Sequence, residues 1–183
     1  MTRIQGSRVL LRGFRPDELD AAMARMQAIP ATELDDERRR ERRERLERSG
    51  GRNHWEVLFA IESGGRLVGD VQGRCSEHAM PPGVWELGIE LWEEADRGRG
   101  LGSEAVALLC TYLFDEQAAI RMQATTDVEN DGMRGALERL GFGHEGILRG
   151  FMPSPDGPPR DYAMYGMTRD DWETTRNAWT RTS

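Results

Sequence analysis

The sequence predicts an α/β fold of the α+β kind, a sheet of short strands with helices packed against it. Three observations carry this expectation. Short runs rich in Val, Ile, Leu, Phe and Trp alternate with Gly, Ser and Pro, as strands alternate with turns. Two later stretches, Ser103–Phe114 and Gly132–Leu140, follow strand-like runs and read as helices. A length of 183 residues with 38% hydrophobic content suits one globular domain, its core expected over about residues 8–172, with no internal repeat and no second domain.

Taken in order, Val9–Arg12 is expected as the first strand. Pro16-Asp17-Glu18 opens a helix with Leu19, Ala22, Met23 and Met26 on one face and Pro30 as its stop. Glu33–Arg48 reads ELDDERRRERRERLER, a solvated helix held by Glu–Arg pairs at i,i+4 spacing. A nucleic-acid arm is the other reading, but acids nearly balance the arginines and leave little excess positive field. Ser49-Gly50-Gly51 breaks this helix. Trp55–Ile61 and Leu67–Val71 read as a hairpin joined by Glu62-Ser63-Gly64-Gly65, and Val84–Leu91 is the next strand. The helix over Ser103–Phe114 offers Ala105, Val106, Leu108, Leu109, Tyr112 and Leu113 for burial. Arg121–Val128 is a strand and Gly132–Leu140 a helix. His144–Arg149 and about Arg160–Met167 pair as closing strands across MPSPDGPP, which its prolines stiffen. Asp170–Trp179 forms a short terminal helix. Of the tryptophans, Trp55, Trp85, Trp92 and Trp172 fit core or rim positions as well as a substrate shelf, and because three fall in or beside strands the core is favoured.

Composition excludes several classes. All 25 basic residues are arginine, and the net charge of −7 argues against broad nucleic-acid binding while suiting a cationic amine partner. No apolar run approaches bilayer length, and MTRIQGSRVLLRGFR lacks a signal-peptide core, so a cytoplasmic protein with no membrane partner is expected. Cys75 and Cys110 fit a reducing compartment. With His54, His78 and His144 they show no metal-ligand spacing, so no metal is expected.

The most informative segment is Glu90–Ala105, ELWEEADRGRGLGSEA, in which a strand runs through a glycine-rich turn into a helix. Glycines let backbone N–H groups approach an anion closely, and a helix start adds free donors and the positive end of a dipole. Arg97 and Arg99 add full charge. A P-loop is excluded because the chain has no lysine. A dinucleotide fingerprint needs G-x-G-x-x-G early in a βαβ unit, whereas here the spacing is Gly98-x-Gly100-x-Gly102 and the loop follows several strands. The pattern R/Q-x-x-G-x-G/A is met by Arg97, Gly100 and Gly102; an ordinary strand-to-helix turn is the remaining alternative.

That pattern resembles the acyl-coenzyme A pyrophosphate loop of the GNAT N-acetyltransferase superfamily. Downstream, Glu129-Asn130, a helix and Leu137-Glu138-Arg139-Leu140-Gly141-Phe142 are similar to the family's N-x-x-S/A-x-x-x-L/Y-E-K/R-x-G-F. Glu145–Arg149 and the opening Val9–Asp17 resemble the RimJ/RimL-like branch, so the likeness extends over about Arg8–Trp172.

The resemblance implies a mixed, mostly antiparallel twisted sheet of about seven strands, splayed at the middle and flanked by about four helices. It implies an acetyl-CoA-dependent N-acetyltransferase that attacks directly in a ternary complex and releases coenzyme A. The acceptor would be a primary amine, a protein N-terminus or a small molecule, and a homodimer is expected by analogy. The strands at Val84–Leu91 and Arg121–Val128 would part around the pantetheine arm, with Ile89 and Leu91 as backbone contacts. Arg97, Gly98, Arg99, Gly100, Leu101, Gly102 and Ser103 would hold the pyrophosphate, and Asn130 would contact the arm. Arg139 either reaches the ribose phosphate or is a solvated helix arginine. Glu86 is the base candidate, with an ion-paired structural role as its alternative, and Glu90 is the second candidate. The departure lies on the acid side. Leu137 stands where many members carry Tyr and Met133 where the branch often carries Ser, and neither donates a proton. Water, Tyr162, Tyr165 or the attacking ammonium remain as proton sources, or else the chain is a catalytically weak acyl-CoA-binding sensor or accessory module. A nucleotide-binding oxidoreductase would need a two-half βαβ pattern that is not seen.

Overall fold

The computed structural model describes residues 2–25, 35–75, 80–155 and 157–179. Expectations placed on Met26, Pro30, Glu33 and His78 lie outside them. In chain order the strands are β1 (Ile4–Gln5), β2 (Leu10–Arg12), β3 (Gly51–Arg52), β4 (Glu56–Ser63), β5 (Arg66–Arg74), β6 (Val84–Leu91), β7 (Arg121–Asp127), β8 (Gly143–Met152) and β9 (Arg160–Thr168). The helices are α1 (Leu19–Arg25), entered through a 3-10 turn at Pro16–Glu18, α2 (Asp36–Glu47), α3 (Leu101–Glu116), α4 (Asp131–Arg139) and α5 (Arg169–Trp179). All nine strands join one sheet, ordered β1-β2-β4-β5-β6-β7-β9-β8, with β3 pairing β4. The count exceeds the expected seven because β1 and β3 are two-residue pieces, too short to show any alternation of apolar and polar positions.

Two layers cover the sheet, and β4 shows why its sequence is apolar throughout. Val57, Phe59 and Ile61 face the core made with α3, α4 and α5, while Leu58 and Ala60 face a smaller cluster with Phe14, Leu19, Ala22 and Leu46 beneath α1 and α2. A strand covered on both faces needs no polar alternation. The β4–β5 turn places Gly64 at φ +58 and Gly65 at φ +76, the two left-handed residues of a type I′ hairpin. Phe59 meets Tyr112 of α3 edge-on at 5.4 Å, and Phe114 stacks on Trp172 at 5.1 Å, docking α5. Trp85 and Trp172 are core residues as expected; Trp55 is not, at 46% exposure.

Every strand pair is antiparallel except β6–β7. Their parallel register runs from Val84↔Arg121 to Leu87↔Ala124 and stops there, although β6 continues to Leu91 and β7 to Asp127. The sheet therefore opens between Gly88–Leu91 and Thr125–Asp127.

The charged helix α2 behaves in part as expected. Arg43–Glu47 and Arg48–Glu44 are i,i+4 pairs, and Asp35 caps the first turn by accepting from Arg38 N–H at 2.9 Å. Leu46 and Arg45 are exceptions, since Leu46 is fully buried and Arg45 reaches the buried Glu56 on β4. No helix among the described residues is long and apolar enough to cross a membrane.

A second buried ionic knot fixes β2. Arg12 donates to both oxygens of Glu18, at 2.7 and 2.6 Å, and to Glu62 at 2.7 Å. Although burial opposes their charge, the Arg12 guanidinium holds Glu18 and Glu62 below the usual carboxylate range. A depressed carboxyl adds stability above its unfolded pKa and loses it as pH falls through the folded value. Arg12→Ala should therefore cost about 3 kcal/mol near neutral pH, because it removes the buried guanidinium between Glu18 and Glu62 and leaves them only the exposed Arg15. Denaturant titrations should show the gap to the parent shrinking as pH falls below about 4.

Candidate active site

The glycine-rich turn sits at the mouth of the opening between β6 and β7. Gly98 and Gly100 adopt left-handed φ of +70 and +80, which a side chain would strain. Gly100 is the N-cap of α3 and offers no side-chain cap, so the first amides of this sixteen-residue helix point outward without an internal acceptor. Space beside Gly98 is open, with no atom within 4 Å of the position a Cβ would take. The helix start packs on β6: a Cβ at Gly102 would lie 3.5 Å from Leu91 and 3.6 Å from Ile89.

Two carboxylates hold this turn in place. Asp96, 1% exposed, accepts from the Arg66 guanidinium at 2.7 and 3.1 Å, and Arg66 holds its carboxyl below the ordinary range. Glu104 in the first turn of α3 accepts from the backbone N–H of Ser7 and of Arg8, tying the N-terminal segment to the loop. Arg97 donates to the Leu91 carbonyl at 3.1 Å.

Between β6, the loop and α4 lies a cleft of about 450 Å³. Ile89, Glu90 and Leu91 form one wall. Arg97, Gly98, Gly100, Gly102 and Ser103 form its rim, and Asn130 and Arg139 close the far side. Three expected residues stand apart. Leu101 turns its side chain into the core at 6% exposure, so only its backbone belongs to the turn. Arg99 lies outside the lining, 3.9 Å from Asp96. Glu86 also lies outside it, 3.5 Å from Arg74. Asn130 caps α4, its Oδ1 accepting from Met133 N–H at 3.1 Å. Sequence reasoning missed Val106, Gly132, Ala136 and Leu140 as lining residues. The helical spacing Met133, Ala136, Leu137, Leu140 was the available signal.

Glu86, Gly88 and Glu90 share the strand face opposite the buried Trp85 and Leu87. Glu90 has no ion-pair or hydrogen-bond partner among the described residues. On the α4 side the cleft meets Met133 and Leu137 and no proton donor. Tyr165 is fully buried and donates its O–H to Glu138 at 2.9 Å, so it is a packing residue. Tyr162 packs against Phe151 with ring centres 5.6 Å apart. Among the described residues no group of His, Cys, Asp and Glu could hold a metal ion.

A family model described as an acetyltransferase (GNAT) domain matches residues 8–143. A Bacillus subtilis (strain 168) protein, provisionally named ribosomal N-acetyltransferase YdaF, is 28% identical over 123 residues, 67% of each chain. A kanamycin resistance protein of Rhizobium radiobacter is 30% identical over 107 residues, 58% of this chain and 92% of its own. Among solved structures, Mycobacterium smegmatis RimJ in complex with CoA-disulfide has a TM-score of 0.74, covering 93% of this chain and 91% of that one at 22% identity, a likeness of fold.

The residues present fit a coenzyme A. Outward amides at Gly100–Ser103, with Arg97 beside them, suit a diphosphate, and Arg139 across the cleft suits a further phosphate. The gap beyond Leu87 and Ala124 leaves strand backbone free for an extended amide-bearing arm. An alanine at Gly100 would be held at a left-handed φ of +80 that strains any side chain, and its Cβ would displace the Arg8 guanidinium. Gly100→Ala should weaken coenzyme A binding by about tenfold or more, the equivalent of about 1.4 kcal/mol, in calorimetry on a folded variant. Unchanged affinity would remove the turn from the binding site.

Proposed function

This chain belongs to the GNAT acetyltransferase family and is an N-acetyltransferase that uses acetyl-CoA; on that premise we propose that it acetylates a primary amine, a protein N-terminus or a small amine, in a ternary complex. The opening between β6 and β7 carries this reading, because it joins a diphosphate-sized cradle to Glu90, a carboxylate without an ion-pair partner among the described residues, in one cleft. The two curated relatives are named for a ribosomal target and for kanamycin resistance, and both names suit an amine acceptor. A net charge of −7 favours the approach of a cationic one.

Acetyl-CoA supplies an acetyl group activated as a thioester. The chain must make the amine nucleophilic, since an ammonium has no free electron pair. In the proposed reaction Glu90 takes one proton from the bound ammonium. The amine nitrogen then forms a bond to the acetyl carbon, the carbon–sulfur bond breaks, and the sulfur leaves with its electron pair. The amide nitrogen sheds its second proton, and the thiolate gains one. An N-acetylated amine, free coenzyme A and one proton result. Backbone of β6 at Ile89 and Leu91 aligns the arm, and the turn at Gly98–Ser103 with Arg97 anchors the diphosphate.

Glu90 is placed ahead of Glu86 in the base role. Glu90 lines the cleft, whereas Glu86 lies four residues along β6, about 13 Å away by strand rise, beside Arg74. Thiol release should be measured against a panel of amines and peptides. Glu90→Gln should lower turnover about a hundredfold at neutral pH with acetyl-CoA affinity nearly unchanged, and higher pH should partly restore it. Glu86→Gln should cost far less; the reverse ranking would move the role to Glu86. Binding of acetyl-CoA without thiol release for any acceptor would instead support a sensor or accessory module.

A further inference from the structure

We propose that Asp70 is a positioning residue of this site, acting through Glu90 as the second carboxyl of a cross-strand pair that strengthens Glu90 as a proton acceptor. The inference rests on the reading of Glu90 as the group that takes the amine proton.

Asp70 and Glu90 are register partners in the antiparallel β5–β6 ladder. Their side chains leave the sheet on the same face with Cβ atoms about 5 Å apart. Glu90 opens onto the cleft, while Asp70 lies behind it at 4% exposure. The Trp92 indole N–H donates to Asp70 Oδ2 at 3.1 Å, and its ring stacks on Phe14 at 6.4 Å, which fixes the Asp70 carboxyl.

Like charges directly opposite in a ladder are unfavourable. The other two buried carboxylates in the described residues are neutralised by arginine, Glu56 by Arg45 and Asp96 by Arg66. Asp70 is not. The charged groups facing it are Glu90 from β6, Glu56 from β4, and Arg45 and Arg42 from α2. Arg45 is engaged by Glu56 and Gln72, and Arg42 makes no ion pair among the described residues. Burial pushes the Asp70 carboxyl up to about 6, against the pull of the Trp92 bond and with added repulsion from Glu90. Below that pH Asp70 is a neutral acid; above it a second carboxylate charge stands directly across the ladder from Glu90.

Asp70→Asn keeps the shape and an acceptor for the indole while removing the titration. The ratio of parent to variant thiol-release rates should rise about three- to tenfold between pH 5 and pH 8, with its midpoint near 6 and acetyl-CoA affinity unchanged. In a Glu90→Gln background the same substitution should have no pH-dependent effect. A second readout needs no turnover. The Trp92 indole N–H resonance should titrate in the parent, not in Asp70→Asn, and at lower pH in Glu90→Gln, where the like charge is gone. A flat ratio in an active parent overturns the inference, as do coincident indole midpoints in the parent and Glu90→Gln. A parent that releases no thiol with any amine counts against acetyl transfer instead, and the indole titration then decides the pair.

Discussion

The site depends on one interruption in a ladder. β6 and β7 hold parallel register for four residue pairs and then separate, while each keeps its other neighbour, β5 for β6 and β9 for β7. Backbone N–H and C=O groups on the facing edges are thus left without sheet partners at the centre of the molecule rather than at its rim. A gap of that kind is costly unless something pairs with it. An extended ligand carrying amides is a natural complement. The packing of α3 on one side and α1 and α2 on the other keeps the gap from closing by collapse, since each helix layer is committed to its own buried cluster.

Much of this architecture was legible because it is written locally. Arg97 to Ser103 declared itself through glycine spacing, and the structure gives Gly98 and Gly100 the left-handed φ that only glycine adopts without strain. The Gly64-Gly65 turn and the apolar run of β4 were readable for similar reasons. What was not legible depends on register. No local pattern tells that Glu90 meets Asp70 and that Glu86 meets Arg74, because both pairings are fixed by the β5–β6 ladder. A shift of one residue would send the same carboxylates to the opposite face. That the Leu101 side chain turns into the core while its backbone stays in the turn was likewise not legible from its position alone.

Charge in this chain is organised by guanidinium groups, since it has no lysine. Arg12 gathers Glu18 and Glu62, Arg66 holds Asp96 under the glycine turn, and Arg121 holds Glu145 across the β7 end. The planar fork suits these pairs, because it can meet both oxygens of a carboxylate at once. The pairs also do different jobs. The Arg12 knot ties β2 to the 3-10 turn and β4, whereas the Arg66–Asp96 pair ties β5 to the segment that leads into the glycine turn. Against that pattern Glu90, a cleft-lining carboxylate with no ion-pair partner among the described residues, stands where the proposed chemistry needs a proton acceptor.

The same bookkeeping of donors bears on the leaving sulfur. Met133 and Leu137 make the α4 wall apolar, and the Tyr165 hydroxyl is committed to Glu138. Among the residues lining the cleft only Glu90, Arg97 and Arg139 ionise, and an arginine does not give up its proton. On the proposed reading, the carboxyl that has just accepted the amine's proton is therefore the one acid of the cleft able to return it. A single residue then serves in both directions, which removes the need for the hydroxyl donor that positions 133 and 137 lack. On the same reading the apolar wall would keep water from the thioester, so that the acetyl group would meet an amine rather than solvent.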